Sequence, residues 1–520
     1  VADKSNSSTD YLLRLRNRFL ANNDVQENAG ESYYADLFNE GQLEQYGKLL
    51  ARAHKLQKGK TDERLLARLE ENETILLEVR KLLVDSIQAE KSISPAAVWL
   101  LDNFYLIEEQ IAIARKHLPK GYSKGLPYIS SETSGPVTRV YNIVEEIISH
   151  SDGRADIKGL SGFVDAYQSV TQLTLGELWA IPIMLRLAVI ENLRRVAVLI
   201  ALDMIDQTLA EYWADAMMET LKDKPGDLIL TAADMARSKP VLSASFVAGF
   251  VRKLQGKGAA LKLPLGWLEL QLAGMEMGIN DLIPFENQKQ ASNQISVSNS
   301  IGTLRFLGTT NWAEFVETLS SVEHVLQRDI TGIYTQMDFA TRDSYRKVVE
   351  SISKASDLTE TQVALKALEL SREAFSLLPD ENRQHHIGYY LIDKGLPVTE
   401  KVAEVHFSFA RKLKNISGAM PVFLYLLSIA FFTIAGGAGM FFLAYNHGVS
   451  SKLLLAFVGI LSLAGAAQLA VSVVNWLATI NVHPVLLPRL DFSKGIPSEY
   501  RTLVVVPTML SDANYIEELL

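Results

Sequence analysis

Paired acids, histidines and hydroxyls define the chemistry this chain could attempt. Two carboxylate doublets, Glu108-Glu109 and Glu145-Glu146, have the residue types of general acid–base work. Neighbours on a helix diverge by about 100°, so neither doublet converges on one substrate, and solvated helix faces are expected instead. Asp152-Gly-Arg-Ala-Asp156 could bind a cation or a sugar, but its composition favours a turn between helices. His385-His386 lacks a third ligand at metal spacing and no HExxH pair occurs, so no metal is assigned to this region. Glu323-His324, Asp338 and Asp343 invite an acid–base arrangement, against which ion pairs between helices are the default. Cysteine is absent, which excludes disulfides, thiolate metal sites and cysteine nucleophiles.

The C-terminal end is more telling. Arg501–Leu510 reads RTLVVVPTML, and Leu503–Val506 is a β-branched apolar run of the kind buried on both faces of a parallel sheet. Pro507-Thr508 breaks the run, and a helix is expected from Ser511, with Ser511 or Asp512 as N-cap. One strand cannot form a sheet, because its backbone groups would lack partners. The 520 residues, which begin with Val1 and not an initiator, are therefore expected to be part of a longer polypeptide. In nucleotide-binding α/β domains the loop after the first strand lies at the C-terminal edge of the sheet, where ligands bind.

Two uncharged runs precede that unit. Met420–Tyr445 and Leu453–Ile480 contain no charged residue, and each exceeds the roughly 20 residues a helix needs to cross the hydrocarbon core. The short connector Asn446–Lys452 makes them a hairpin. Gly436, Gly437, Gly439, Gly465, Ala466 and Ala470 offer small surfaces for close helix approach, and Trp476 sits where an interfacial anchor belongs. Arg411, Lys412 and Lys414 precede the first run, and Arg489, Lys494 and Arg501 follow the second, whereas the connector carries only Lys452. The positive-inside rule places both long flanks in the cytoplasm.

Residues 1–415 show helical periodicity nearly throughout. Leu65, Leu69, Leu76, Val79 and Leu83 share one face, Ser94-Pro95 is a helix start, and Thr174–Glu177 and Thr359–Gln362 are capping boxes. Leu118–Pro127, Lys224–Gly226 and the polar stretch Asn287–Ser300 read as punctuation. Leu178–Ile205 is apolar on most faces yet holds Arg186, Glu191, Arg194 and Arg195. Glu191 can pair with Arg194 or Arg195 at helical spacing. A buried core helix is expected, with a membrane-surface helix as the alternative. The fold class is thus mainly α. An N-terminal helical lobe is expected over 1–285 and a second over 286–415, followed by a transmembrane hairpin over 416–482. A linker over 483–500 then leads to the start of an incomplete α/β unit over 501–520. The net charge of −9, from 51 basic and 60 acidic residues, argues against a general nucleic-acid binder.

Four strings carry a resemblance: LPKGYSKGLPYI (Leu118–Ile129), LTLGELWAIPIMLRLAVIENLRR (Leu173–Arg195), YTQMDFATRDSYR (Tyr334–Arg346) and HHIGYYLIDKG (His385–Gly395). With them the chain resembles the N-terminal portion of bacterial cyclic β-1,2-glucan synthases, over most of residues 100–520. The resemblance implies a multi-pass inner-membrane enzyme whose N-terminal region is cytoplasmic. It implies a processive glycosyltransferase module that uses UDP-glucose to build a β-1,2-glucan chain on a protein tyrosine. Further modules of the same chain cyclise the glucan and trim it, and the product goes to the periplasm. The lipid bilayer and these downstream domains are its implied partners. RTLVVVPTML is similar to the first strand of inverting processive glycosyltransferases, so Pro507 and Thr508 match a loop that lines the uridine pocket. The divalent metal, Mg or Mn, and the catalytic aspartates are implied for the transferase domain beyond Leu520, and no catalytic residue is assigned within this segment. A non-catalytic, membrane-anchored helical scaffold is the alternative. A self-contained glycosidase would need two convergent carboxylates, which no sequence pair demands.

Overall fold

The structure, a computed structural model, describes residues 2–21, 37–57, 65–118, 121–131, 135–275, 277–377, 383–406, 421–448, 451–481 and 487–502. It is mainly α-helical, as the periodicity predicts, and divides into two compact units, Val1–Ser320 and Ser321–Leu520. The expected strand at Leu503–Val506, the helix from Ser511, and both Pro507 and Thr508 lie outside the described residues, as do Arg411, Lys412 and Lys414.

The first unit opens with α1 (Ala2–Ala21), α2 (Glu40–Ala53), α3 (Leu65–Gln88), α4 (Pro95–Asp102) and α5 (Phe104–His117). It continues through α6 (Arg139–His150) and α7 (Ile157–Gln168) to α8 (Leu175–Asp223). After α8 come α9 (Leu228–Ser238), α10 (Ala244–Leu254), α11 (Lys262–Ala273), α12 (Ile279–Thr309) and α13 (Trp312–Leu319). The 49-residue α8 is the axis of the unit and packs against α3, α6, α10 and α12. Its residues from Leu178 to Ile205 are buried on nearly every side, which is why the sequence there is apolar all round. Each fully buried Leu or Ile contributes roughly 1.5–3 kcal/mol. Thr174 and Glu177 form the expected capping box at the start of α8, and Ser94 caps α4 ahead of Pro95. A small antiparallel sheet, which the sequence does not announce, pairs β1 (Leu56–Gln57), β2 (Tyr128–Ser131) and β3 (Gly135–Thr138), with Ile129 opposite both Leu56 and Val137.

The polar stretch Asn287–Ser300 is not punctuation. It lies inside the 31-residue α12, where Asn293, Ser296, Val297, Ser300, Ile301 and Leu304 are buried on one helical stripe. Small polar side chains are tolerated there because α8 supplies a partner: the Asn192 amide donates to Ser300 Oγ at 3.0 Å and Ser296 Oγ at 3.4 Å. A lobe boundary at 285/286 would cut this helix, and the units part at Ser320 instead.

The second unit begins with α14 (Ser321–Leu326), α15 (Phe339–Ser353), α16 (Glu360–Leu377), α17 (Gly388–Ile392) and α18 (Leu396–Val402) around Leu326, Tyr345, Val349, Val363, Leu368, Ile387 and Leu391. Thr359 and Gln362 exchange the two bonds of the second expected capping box. The two uncharged runs are helices, Pro421–Asn446 and Lys452–Asn481, packed antiparallel. Gly436 faces Ala466, Gly437 faces Leu463 and Gly459 faces Phe441, and an added Cβ at 437 would come 2.8 Å from Leu463 Cδ2. Gly439 and Gly465, expected in the same seam, have open space around them. Among the described residues these are the two helices long and apolar enough to cross a membrane. Only 6% and 17% of their most apolar windows are buried, so they are not core helices. Trp476 is exposed on the outer surface of the second.

Candidate functional site: the docking face for the post-span segment

The second unit gathers three polar networks around α15. In the first, Glu323 on α14 is fully buried and accepts from Arg346 Nη1 at 2.5 Å and from the Tyr334 hydroxyl at 2.7 Å. The Arg346 guanidinium lies over the Phe339 ring, 5.1 Å from its centroid. Burial, and then the Glu323 charge, push the Tyr334 phenol far above its ordinary range, so it remains a donor. The expected ion pair between helices is therefore present, with Arg346 as the partner of Glu323. Asp338 and Asp343 do other work: Asp338 caps α15 by accepting from the Thr341 amide at 2.9 Å, and Asp343 pairs with Lys347 at 2.7 Å.

In the second network Asp329 orients His386. Asp329 Oδ1 accepts from the Ile387 amide at 3.0 Å, and Oδ2 faces His386 Nδ1 at 2.9 Å. Burial raises the Asp329 pKa, but the bonds from His386 and Thr331 outweigh it and hold the carboxyl below its usual value. Nδ1 thus faces the carboxylate, and Nε2 faces the Tyr345 hydroxyl at 3.3 Å. Tyr345 is pushed up to about 12, chiefly by burial, with Asp329 and Asp393 adding to it. An Asp-oriented histidine could act as a base only if Nε2 were open to substrate. Here Tyr345 covers it, and a Cβ at Gly388 would come 2.2 Å from the Tyr345 oxygen and 2.8 Å from Nε2. The network fastens the 383–395 turn to α15 and leaves no room for a reactant.

The third network is the one most informative about function. The segment that follows the second apolar helix docks on the N-terminal end of α15. Met337 and Leu490 form an antiparallel bridge, in which the Asp338 amide donates to the Arg489 carbonyl at 3.0 Å and the Asp491 amide to the Gln336 carbonyl at 2.7 Å. The Arg489 amide adds a bond to Thr341 Oγ1 at 3.0 Å, and Leu490 packs against the core of the unit. Asp491 is held below its usual pKa first by the Ser493 amide and hydroxyl, with Lys494 and Arg342 adding to it. Sequence reasoning had used Arg489 only as a topology charge and read 483–500 as linker. No local signal marks a pairing between segments so far apart in the chain.

The remaining sequence candidates fall in the first unit. Glu108 and Glu109 are exposed as expected, with Glu108 paired to Arg80 at 2.9 Å, whereas Glu145 and Glu146 are half-buried and Glu146 accepts from Tyr46 at 2.8 Å. Asp152–Asp156 is a turn: Asp152 and Gly153 have φ of 51° and 77°, and Asp156 caps α7. Thr303 holds the turn to α12 by donating to the Gly153 carbonyl and accepting from the Ala155 amide, each at 2.8 Å. Glu191 does pair with Arg194, at 3.2 Å, whereas Arg195 binds Asn192 and Arg186 binds the neutral amide of Gln110 at 2.7 Å. Two clusters had no sequence signal. Arg139 and Glu177 form a fully buried pair at the head of α8. Asp203 and Glu286 both bond the Ser245 hydroxyl, at 2.7 and 2.9 Å, beside Lys289.

That last pair is the convergent carboxylate arrangement a glycosidase would need, but its chemistry is different. Ser245 has one proton to give and can donate it to one of the two carboxylates at a time. Burial, and then the Asp203 charge, raise the Glu286 pKa. Gln290 donates to the other Glu286 oxygen at 2.6 Å. The cavity beside Asp203, lined also by Leu83, Ser94, Ile200, Gln207 and Asn293, is about 20 Å³, room for about one water and not for a sugar ring.

Fold and site together describe a large helical region joined to a pair of membrane-length helices, with the exit from the hairpin fastened to the second unit. No family model matches the chain. It is 27% identical over 465 residues to the cyclic beta-(1,2)-glucan synthase NdvB of Rhizobium meliloti (strain 1021), over 87% of this chain and 16% of that protein. The match bears out the resemblance to the N-terminal portion of such synthases. The chain spans 16% of the length of that curated relative.

Proposed function

We propose that this chain is the N-terminal portion of an inner-membrane β-1,2-glucosyltransferase. In this proposal it polymerises glucose from UDP-glucose into a glucan that later modules cyclise for delivery to the periplasm. The observation that carries the reading is the match to a glucan synthase along 87% of the chain. The paired apolar helices support a membrane setting, and the charges at Arg489, Lys494 and Arg501 favour a cytoplasmic exit from the hairpin. Pro507 and Thr508 are proposed to border the uridine pocket. Among the described residues no group of three His, Asp or Glu side chains is placed to hold a metal. The divalent metal, Mg or Mn, that the resemblance implies is proposed for the transferase domain, and no step is routed through it.

Within that protein the described residues act as a scaffold. The docking of 489–491 on α15 favours this role, because it fixes where the chain leaves the membrane before the expected transferase unit starts. Glucose incorporation into glucan from labelled UDP-glucose tests both parts. Membranes holding the full-length protein should make β-1,2-linked product, and membranes holding only residues 1–520 should make none. Robust transfer by residues 1–520 alone would place a catalytic site in the helical region and overturn the scaffold role.

A further inference from the structure

The α11 helix carries two apolar stripes, centred about 130° apart round its axis. Pro264, Leu268 and Leu272 are buried in the core of the first unit, while Leu263 and Leu270 are 49% and 71% exposed, with Trp267 half-buried between them. Positions 263, 267 and 270 follow i, i+4, i+7 spacing and form one stripe. A helix apolar all round belongs inside a protein or against another apolar phase, and the core covers only one side of this one. Around it the charge is one-sided. Between Met235 and Leu268 the charged residues are Arg237, Lys239, Arg252, Lys253, Lys257 and Lys262, with no acid, in a chain of net charge −9. Arg252, Lys257 and Lys262 are exposed, whereas Arg237 is paired with Asp234 and Lys253 with Asp215, each at 2.9 Å. The acid on α11 itself, Glu269, lies about 100° round the helix from Leu270.

We propose that the outer face of α11 rests on an anionic lipid surface, with Leu263, Trp267 and Leu270 in the headgroup boundary and Arg252, Lys257 and Lys262 on the lipid phosphates. Exposed Leu and Trp flanked by exposed Lys and Arg is the composition of interfacial helices. Such a surface is always close by, because the same chain carries two helices of membrane-crossing length. The proposal rests on those helices and not on the chemistry of glucan synthesis.

The absence of cysteine makes the test clean. Leu270→Cys gives a single thiol for an environment-sensitive fluorophore in the 520-residue chain, reconstituted into vesicles of phosphatidylcholine with or without phosphatidylglycerol. Glu109→Cys, at an exposed position of α5, is the control. The probe at 270 should shift to the blue and be quenched by doxyl lipids in the anionic vesicles, much less so in the neutral ones or in high salt. The control should stay accessible to aqueous iodide throughout. Lys257→Gln and Lys262→Gln should each weaken docking about fivefold, the effect of one basic residue near an anionic surface. A probe at 270 that iodide reaches equally in both vesicles would overturn the proposal. So would a probe shielded from iodide but untouched by doxyl lipids, which would mean that protein covers the face.

Discussion

Removing the Arg346 guanidinium while keeping its bulk tests whether the network around Glu323 holds the docking face together. Arg346→Met leaves Glu323 fully buried with the Tyr334 hydroxyl as its main remaining partner. Breaking a buried pair from one side costs about 3–5 kcal/mol, most of it the penalty of a stranded charge. Tyr334→Phe removes one bond to a charged acceptor and should cost less, about 1.5–3 kcal/mol. The double variant Arg346→Met, Glu323→Leu removes both charges, and such replacements are often nearly neutral. It should therefore recover most of the loss, a coupling that two independent sites would not show. Thermal unfolding in detergent, combined with hydrogen exchange on peptides from α14 and α15, reads the effect. Exchange should also rise at the amides of Asp338 and Asp491, because the bridge to Leu490 hangs from the head of α15. If Arg346→Met changes stability by no more than the roughly 0.5 kcal/mol of a surface substitution, the network is not what fixes this unit.

Four further outcomes are expected. Glu286→Gln keeps the bonds to Ser245 and Gln290 in the protonated pattern. Because the folded pKa of Glu286 is raised above 4.5, its contribution is fully present below that value and lost as the pH rises through the raised pKa, so the Gln variant should lose less stability toward neutral pH, as pH-dependent melting would show. Gly153→Ala places a Cβ 2.3 Å from Ser300 Oγ at a φ of 77° and should destabilise the fold by more than the roughly 0.4–1 kcal/mol that a conformationally compatible replacement gains, read as a lowered melting temperature. Reporter fusions in the 446–452 connector should read as periplasmic, and Gly437→Leu, at the tightest point of the hairpin seam, should loosen crosslinking between the two apolar helices.

What the sequence makes legible is what neighbours within a few turns decide. Ser94, Thr174 and Thr359 sit three residues from the groups they bond, and the two apolar runs need no context beyond their own length. The α12 stripe escaped because Asn293, Ser296 and Ser300 have loop-like composition, and the amide of Asn192 on α8, distant in the chain, is what meets Ser296 and Ser300 in the interior. The networks of the second unit escaped for a related reason. The strings that carry the family resemblance contain Glu177, Tyr334, Arg346 and His386, while their partners Arg139, Glu323 and Asp329 lie outside those strings. Three of the four strings therefore show one half of a buried polar network, and a lone charged residue in a helical pattern reads as solvated surface. Arg139 and Arg346 are instead among the largest fully buried side chains. Burying a guanidinium is tolerable only when its partner arrives with it, so these pairs require α6 to meet α8, and α14 to meet α15, in one register. The same logic extends to the bridge at Leu490. Its amides are satisfied only when the chain returns from the hairpin to α15, so the exit from the hairpin is set by backbone pairing that no residue type within 483–500 announces.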